Sequence, residues 1–324
     1  MTPQRPRTWL WVLISIVLIG GTGFMGLACV GLAVSGGSDG PHIGLITLSG
    51  EINDEVSGGL IPKGSMAREF IDEVDEARDD KNVKAVVIRV NSPGGSASAS
   101  QEMYQAVMRL RAVKPVVCSM GDLAASGGYY VSSACDKIYA NDSTLTGSIG
   151  VISEFMNYAQ LAQKLGVATD VIKSGKFKDA GNPARPLTPE EQQLFQAMIN
   201  DVYQQFVSDV VTGRAKATGG QLTRAKLLQI ADGRVFTGHQ AKAALLVDEN
   251  GGLYDAIEDA NKLAGLSGEP KVRDVGGGGG LGGILGAQSS AGISGLAHDA
   301  GAAFAEGAYS QLKSDSGSAP LEMR

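Results

Sequence analysis

The sequence predicts an α/β fold with a mainly parallel sheet, on three observations. Short runs of β-branched apolar residues recur along the chain. Segments with apolar residues at helical spacing lie between them, and turns rich in glycine and serine punctuate the alternation. The first run, 43–48, reads as a strand. Residues 66–78 read as a helix with Phe70, Ile71 and Val74 on its apolar face. Residues 83–90 (Val-Lys-Ala-Val-Val-Ile-Arg-Val) are apolar nearly throughout, as in a strand buried on both faces. A helix over 98–113, a strand over 115–120, a helix beginning at Ser126, a strand over 137–140 and a further apolar run at 149–152 continue the pattern.

After residue 178 the texture becomes helical. Thr188 followed by Pro189, Glu190 and Glu191 is a helix start, with a capping hydroxyl, a proline at the first position and acids in the first turn. The helix should run to about residue 213, presenting Leu194, Met198, Val202, Phe206 and Val210 on one face. Shorter helices are expected over 222–230, 238–245 and 253–264. From Gly276 a run of glycines broken once by Leu281 reads as a flexible linker, and no tandem repeat of solenoid period is visible.

The N-terminus carries a separate signal. Residues 8–38 hold no charge, and the stretch 9–34 is continuously apolar. A bilayer span needs about 20 residues, against roughly 7–15 for the apolar core of a secretory signal. Length therefore predicts a transmembrane helix over 9–34 and makes the lipid bilayer a partner. Arg5 and Arg7 precede the span, and no Lys or Arg follows before Lys63. The positive-inside rule then puts residues 1–8 in the cytoplasm and the body of the chain on the other side. The competing reading, a cleaved leader, has a faint processing site in Gly26-Leu-Ala-Cys29, but the apolar run continues past it. The expected layout is a linker over 35–42, a globular domain over 43–268 and a glycine-rich tail over 269–324.

Net charge is −6 and the pI about 5.2, which excludes nucleic acid as a partner. Cys29, Cys118 and Cys135 form neither a disulfide framework nor a metal spacing. Cys118 and Cys135 read as small core residues, with a bridge between them open. No metal or cofactor is implied.

The chemistry concentrates in a few positions. Ser126 lies in Leu-Ala-Ala-Ser-Gly-Gly-Tyr-Tyr, a strand-to-helix turn that exposes its hydroxyl. A serine nucleophile needs a base. The three histidines (His42, His239, His298) lie outside any serine motif, so a lysine is the base to look for. Lys178, in Gly-Lys-Phe-Lys-Asp with Phe177 beside it, is the candidate over Lys173 and Lys176. A lysine amine is ordinarily protonated near neutral pH, so the role calls for a water-poor site. Ser148, in Thr-Gly-Ser-Ile-Gly, would hydrogen-bond the amine. The Gly127 N–H at a helix start would face the developing oxyanion. The loop Asn91-Ser-Pro-Gly-Gly-Ser96, at the carboxyl end of strand 83–90, would bring a second donor.

These segments resemble the signal peptide peptidase A (SppA) family in its short, single-repeat form. The matching stretches are 87–96, 124–130, 145–151 and 176–183, with Asp232-Gly-Arg-Val-Phe-Thr-Gly238 and Leu246-Val-Asp248 further on. Together they cover about 43–266. The resemblance implies a ClpP/crotonase-type fold and a membrane-bound serine endopeptidase with a Ser-Lys dyad. Ser126 would be the nucleophile, Lys178 the general base and Ser148 the residue orienting it, with Gly94 and Gly127 as oxyanion donors. It further implies signal-peptide remnants as substrates, small or aliphatic residues beside the cleaved bond, and a homo-oligomeric ring in which one subunit's serine can meet a neighbour's lysine. Two other functions fit parts of the pattern: an NfeD-type membrane Ser-Lys protease, which usually carries more spans, and a crotonase-fold acyl-CoA enzyme, which would use carboxylate bases and no anchor.

Overall fold

The computed structural model describes residues 40–54 and 65–276. The apolar segment 9–34, the tail beyond 276, Cys29 and His298 lie outside them. Among the described residues no helix is long and apolar enough to cross a membrane.

In chain order the elements are β1 (His42–Ser49), α1 (Met66–Asp79), β2 (Val83–Ser92), α2 (Ala97–Arg111), β3 (Val116–Ala125), α3 (Gly127–Ser133), β4 (Lys137–Ala140), β5 (Leu145–Gly147), α4 (Ala159–Lys164), α5 (Pro189–Arg214), α6 (Arg224–Leu228), β6 (Val235–Thr237), α7 (Gly238–Ala243), β7 (Glu249–Asn250), α8 (Leu253–Leu263) and β8 (Val272–Asp274). The strands form one sheet in the order β6-β5-β3-β2-β1-β8, with β4 also on β3 and β7 on β4. Every pairing is parallel except β5 with β6. The mixed α/β class with a mainly parallel sheet is as the sequence predicts.

β2 is central because its residues are apolar on both faces. Val86, Ile88 and Val90 pack into a large core with α1, α2 and α3, while Ala85 and Val87 face a smaller one under α8. Each such side chain contributes about 1.5–3 kcal/mol by leaving water. Helix starts follow the sequence signals. Ser65 caps α1, and Thr188 and Glu191 form a reciprocal capping box at α5 behind Pro189.

Three features bear on the site, the first of them a departure from the sequence reading. β3 does not stop at 120 but runs on to Ala125, and its two ends take different partners: residues 117–119 pair with β4 and 123–125 with β5. Between those ends Thr144 Oγ1 donates to the Gly121 carbonyl and the Asn91 side chain accepts from the Leu123 N–H, in place of ladder bonds. Residues 149–152 form no strand; the chain leaves the sheet after Gly147, held by a bond from the Gly233 N–H to the Ile149 carbonyl. Only the C-terminal half of the predicted α5 face is covered. Phe206 and Val210 are buried, whereas Leu194, Met198 and Val202 are exposed.

α5 ends on Arg214, whose side chain is 0% exposed. Its Nη2 and Nη1 donate to the two oxygens of Asp248 at 2.6 and 3.0 Å, and Asp248 also accepts the Ile138 N–H of β4. A buried pair of this kind contributes little net stability but is damaging to break, because the survivor is left charged and unpaired. Arg214→Ala is expected to lower the unfolding free energy by about 3–5 kcal/mol, read from urea midpoints. The double change Arg214→Met with Asp248→Leu should recover part of the loss. An Arg214→Ala variant as stable as the parent would refute the pairing.

Candidate active site

The nucleophile candidate sits where β3 turns into α3. Ser126 holds φ 51° and ψ −118°, a backbone conformation that non-glycine residues rarely adopt. Such strain costs of order 1–3 kcal/mol and persists only where the surroundings enforce it. Here the Ser126 N–H donates to the Gly147 carbonyl at 2.9 Å, and the Ser126 carbonyl accepts from Tyr130 at 2.9 Å. Thr146 Oγ1 donates to the Ala124 carbonyl, fixing β5 alongside. The Ser126 hydroxyl makes no capping bond to the helix, so it stays available to the cavity.

The loop after β2 packs directly behind this turn. A Cβ on Gly94 would lie 2.5 Å from the Gly127 nitrogen and 2.8 Å from Ser126 Cβ. On Gly95 it would lie 2.1 Å from the Ile52 carbonyl oxygen. Both glycines have positive φ (97° and 149°), so no other residue fits without displacing backbone. The structure alters one expected assignment here. The Gly94 N–H is already donated, inside the protein, to Ser92 Oγ at 3.1 Å. Gly95 lines the cavity with Ser126 and Gly127, and among the described residues its N–H has no acceptor. The amide pair that geometry offers to an oxyanion is therefore Gly95 with Gly127, one residue on from Gly94.

The cavity is about 720 Å³. Tyr130, Val202 and Phe206 supply its apolar wall, with the two rings stacked at 4.3 Å. Burial, aided by the hydrogen bond to Asp209, pushes the Tyr130 phenol well up, so it stays protonated and cannot act as a base. Ser148 faces the same space. It too has positive φ (49°), and its N–H donates to the Arg234 carbonyl at 2.9 Å. That carbonyl belongs to a tight turn closed by Asp232 and Arg234, whose side chains meet at 2.5 and 2.7 Å. The hydrogen bond from Arg234 holds the Asp232 carboxyl down at about 2, so at neutral pH it is an ion-paired carboxylate. Asp232 and Arg234 thus anchor Ser148. The sequence reading marked them as part of a matching stretch but gave them no role.

No lysine or histidine lines this cavity among the described residues. His42 is buried at the start of β1 and His239 is exposed on α7. Lys178 is exposed and does not border the cavity of its own chain, so the water-poor setting expected for it is absent within one chain. It lies near the end of a segment, 151–178, that has little buried surface. The next residue is well anchored: Asp179 accepts from Lys173 at 2.5 Å and from Arg185 at 3.1 Å, and Arg185 bonds Glu191 of α5 at 2.5 Å. The segment's surface is strongly apolar, with Ile152, Met156 and Ile172 exposed by 84, 79 and 102%.

Residues 108–267 match the family model described as Peptidase family S49. A Synechocystis sp. protein carrying a provisional protease name is 42% identical over 212 residues, 65% of this chain and 73% of that one. The chain belongs to peptidase family S49. The S49 peptidase is also 38% identical over 244 residues to the chloroplastic serine protease SPPA of Arabidopsis thaliana, covering 74% of this chain and 35% of that protein. It is 36% identical over 228 residues to Protease 4 of Haemophilus influenzae, covering 70% and 35%. Membership makes it an SppA-family serine peptidase, and a half-buried, cavity-lining serine at a strained turn beside two glycine amides fits that chemistry.

Two outcomes follow from this geometry. Ser126→Gly should abolish hydrolysis yet raise the unfolding free energy by about 1 kcal/mol, through relief of the left-handed backbone. Loss of stability in a chemical melt would show that the turn is unstrained. Arg185→Ala should loosen the turn beside Lys178, speeding limited tryptic cleavage at 173–178 by about tenfold, on the order of one or two charge-assisted hydrogen bonds. The hydrogen bond from Arg185 lowers the Glu191 carboxyl from 4.5 to about 2. Its stabilising contribution is therefore full above 4.5 and lost as pH falls through about 2.

Proposed function

We propose that this S49 peptidase is a membrane-anchored endopeptidase whose Ser-Lys dyad is assembled between two copies of the chain, Ser126 from one and Lys178 from the next. The observation that carries the reading is a mismatch among the described residues: no amine lines the Ser126 cavity, and Lys178 stands in an exposed, apolar segment. Soluble monomers rarely show an apolar surface of this extent. That segment and the exposed half of α5 would be buried together in a head-to-tail ring, where each chain lends its lysine forward.

In the assembled site the Lys178 amine, desolvated by the neighbouring cavity and hydrogen-bonded by Ser148, takes the Ser126 proton. Ser126 Oγ attacks the peptide carbonyl, and the oxyanion forms against the Gly95 and Gly127 amides. The protonated lysine then gives its proton to the leaving amine, and the freed amine activates water to hydrolyse the acyl-enzyme. The apolar wall of Tyr130, Val202 and Phe206 suits a small or aliphatic side chain beside the scissile bond. Released signal peptides, extended and apolar, fit both that wall and an enzyme held at the bilayer. The apolar segment 9–34 would supply the anchor as a single span with residues 1–8 cytoplasmic. The catalytic domain over 43–268 would then lie on the opposite side, with 269–324 as a tail.

Ser126→Ala and Lys178→Ala should each abolish cleavage of a synthetic signal peptide. Co-assembled in equal amounts, the two dead variants should regain about a quarter of the wild-type rate, the share of sites in a mixed head-to-tail ring that receive both groups. Complete inactivity of the mixture, with assembly intact by light scattering, would rule out a dyad shared between chains. Wild-type activity in Lys178→Ala would remove the lysine from the mechanism.

A further inference from the structure

Two thiols that the peptidase chemistry does not use flank the nucleophile turn. Cys118 lies on β3, on the face that carries Val116 and Met120 into the main core; Cys135 lies just beyond α3 in the same core cluster. Both are 0% exposed and unbridged. The Asp136 N–H donates to the Val116 carbonyl at 2.8 Å, which pins the chain after Cys135 against β3 beside Cys118. Arg111 Nη1 holds the Ala134 carbonyl from the other side at 3.0 Å. After burial, the Cys118 thiol is the largest influence raising the Cys135 thiol. Residues 119–134 run between them, and that loop contains both Ser126 and Gly127.

We propose that Cys118 and Cys135 form an oxidation site, becoming an intrachain disulfide that closes a ring around the catalytic turn when the chain folds in the presence of a disulfide oxidant. One cysteine thiolate attacks the oxidant's S–S bond, giving a mixed disulfide and one released thiol. The second thiolate then displaces the oxidant's other half as a thiol. The protein loses two protons and two electrons, and the oxidant gains them. Timing follows from burial. In the folded reduced chain no solvent path reaches either sulfur, and burial, reinforced by the Cys118 contact, pushes the Cys135 thiol well up, so thiolate is scarce. The bond therefore forms during folding, before α3 closes over β3. The inference is independent of where Ser126 finds its base.

The test unfolds the full-length chain in urea with reductant and refolds it either with a mixture of oxidised and reduced glutathione or with dithiothreitol. Oxidative refolding should lower the mass by about 2 Da, yield a linked peptide pair containing Cys118 and Cys135, and leave Cys29 alkylatable. The cross-linked protein should melt about 5–10 °C higher than the reduced one, as expected for a closed loop of this length. Cys135→Ala should show no such difference. Recovery of Cys118 and Cys135 as free thiols after oxidative refolding, or only as adducts with glutathione or Cys29, would overturn the proposal. The mass map decides this on the wild-type chain even if the variant fails to fold.

Discussion

The left-handed backbone at Ser126 is the constraint around which the domain is organised. A serine relaxes out of that conformation unless its neighbours forbid it. Three neighbours do so: the Gly147 carbonyl takes its N–H, the Tyr130 amide takes its carbonyl, and the glycine loop after β2 fills the space behind. Each neighbour depends on something further out. β5 reaches Ser126 because β3 changes partner along its length. The glycine loop stays in place because Ile52 bonds it on both sides, donating to the Gly94 carbonyl and accepting from Ser96.

Around that turn the chain separates into two kinds of material. The sheet and the helices α1 to α3 are apolar inside and fully packed, and Arg214 with Asp248 ties the end of α5 to β4. Residues 151–178 and the first half of α5 instead turn apolar side chains outward, anchored at the base through Asp179, Arg185 and Glu191. The rigid part would suit a nucleophile, whose donors must be placed to fractions of an ångström. On the proposed assembly the outward apolar face would serve contact.

Much of this was legible from residue types alone. β2 declares itself through Val83 to Val90, and α5 through Thr188-Pro189 and the acids behind them. The turn at Ser126 stands out through its combination with the glycine loop at 91–96, Ser148 and Lys178, since a serine before two glycines is by itself an ordinary helix start. Periodicity put Leu194, Met198, Val202, Phe206 and Val210 on one face of α5, but it reports which residues share a face and not what covers it. Leu194 and Met198 have the right spacing and are exposed among the described residues. Gly94 and Gly95 look alike in the sequence, and the structure tells them apart because Ser92 Oγ takes the Gly94 N–H. Asp232 and Arg234 act on Ser148 through a backbone carbonyl, a link that no side-chain pattern encodes. Lys178 showed the converse: its type suggested a base, while within one chain it stands exposed and outside the lining of the Ser126 cavity.

Among the described residues the lining of the Ser126 cavity holds carboxylates and aromatic faces but no amine. If the amine comes from a second copy, as proposed, a lone chain would be latent. Its activity would then rise with the concentration at which copies meet.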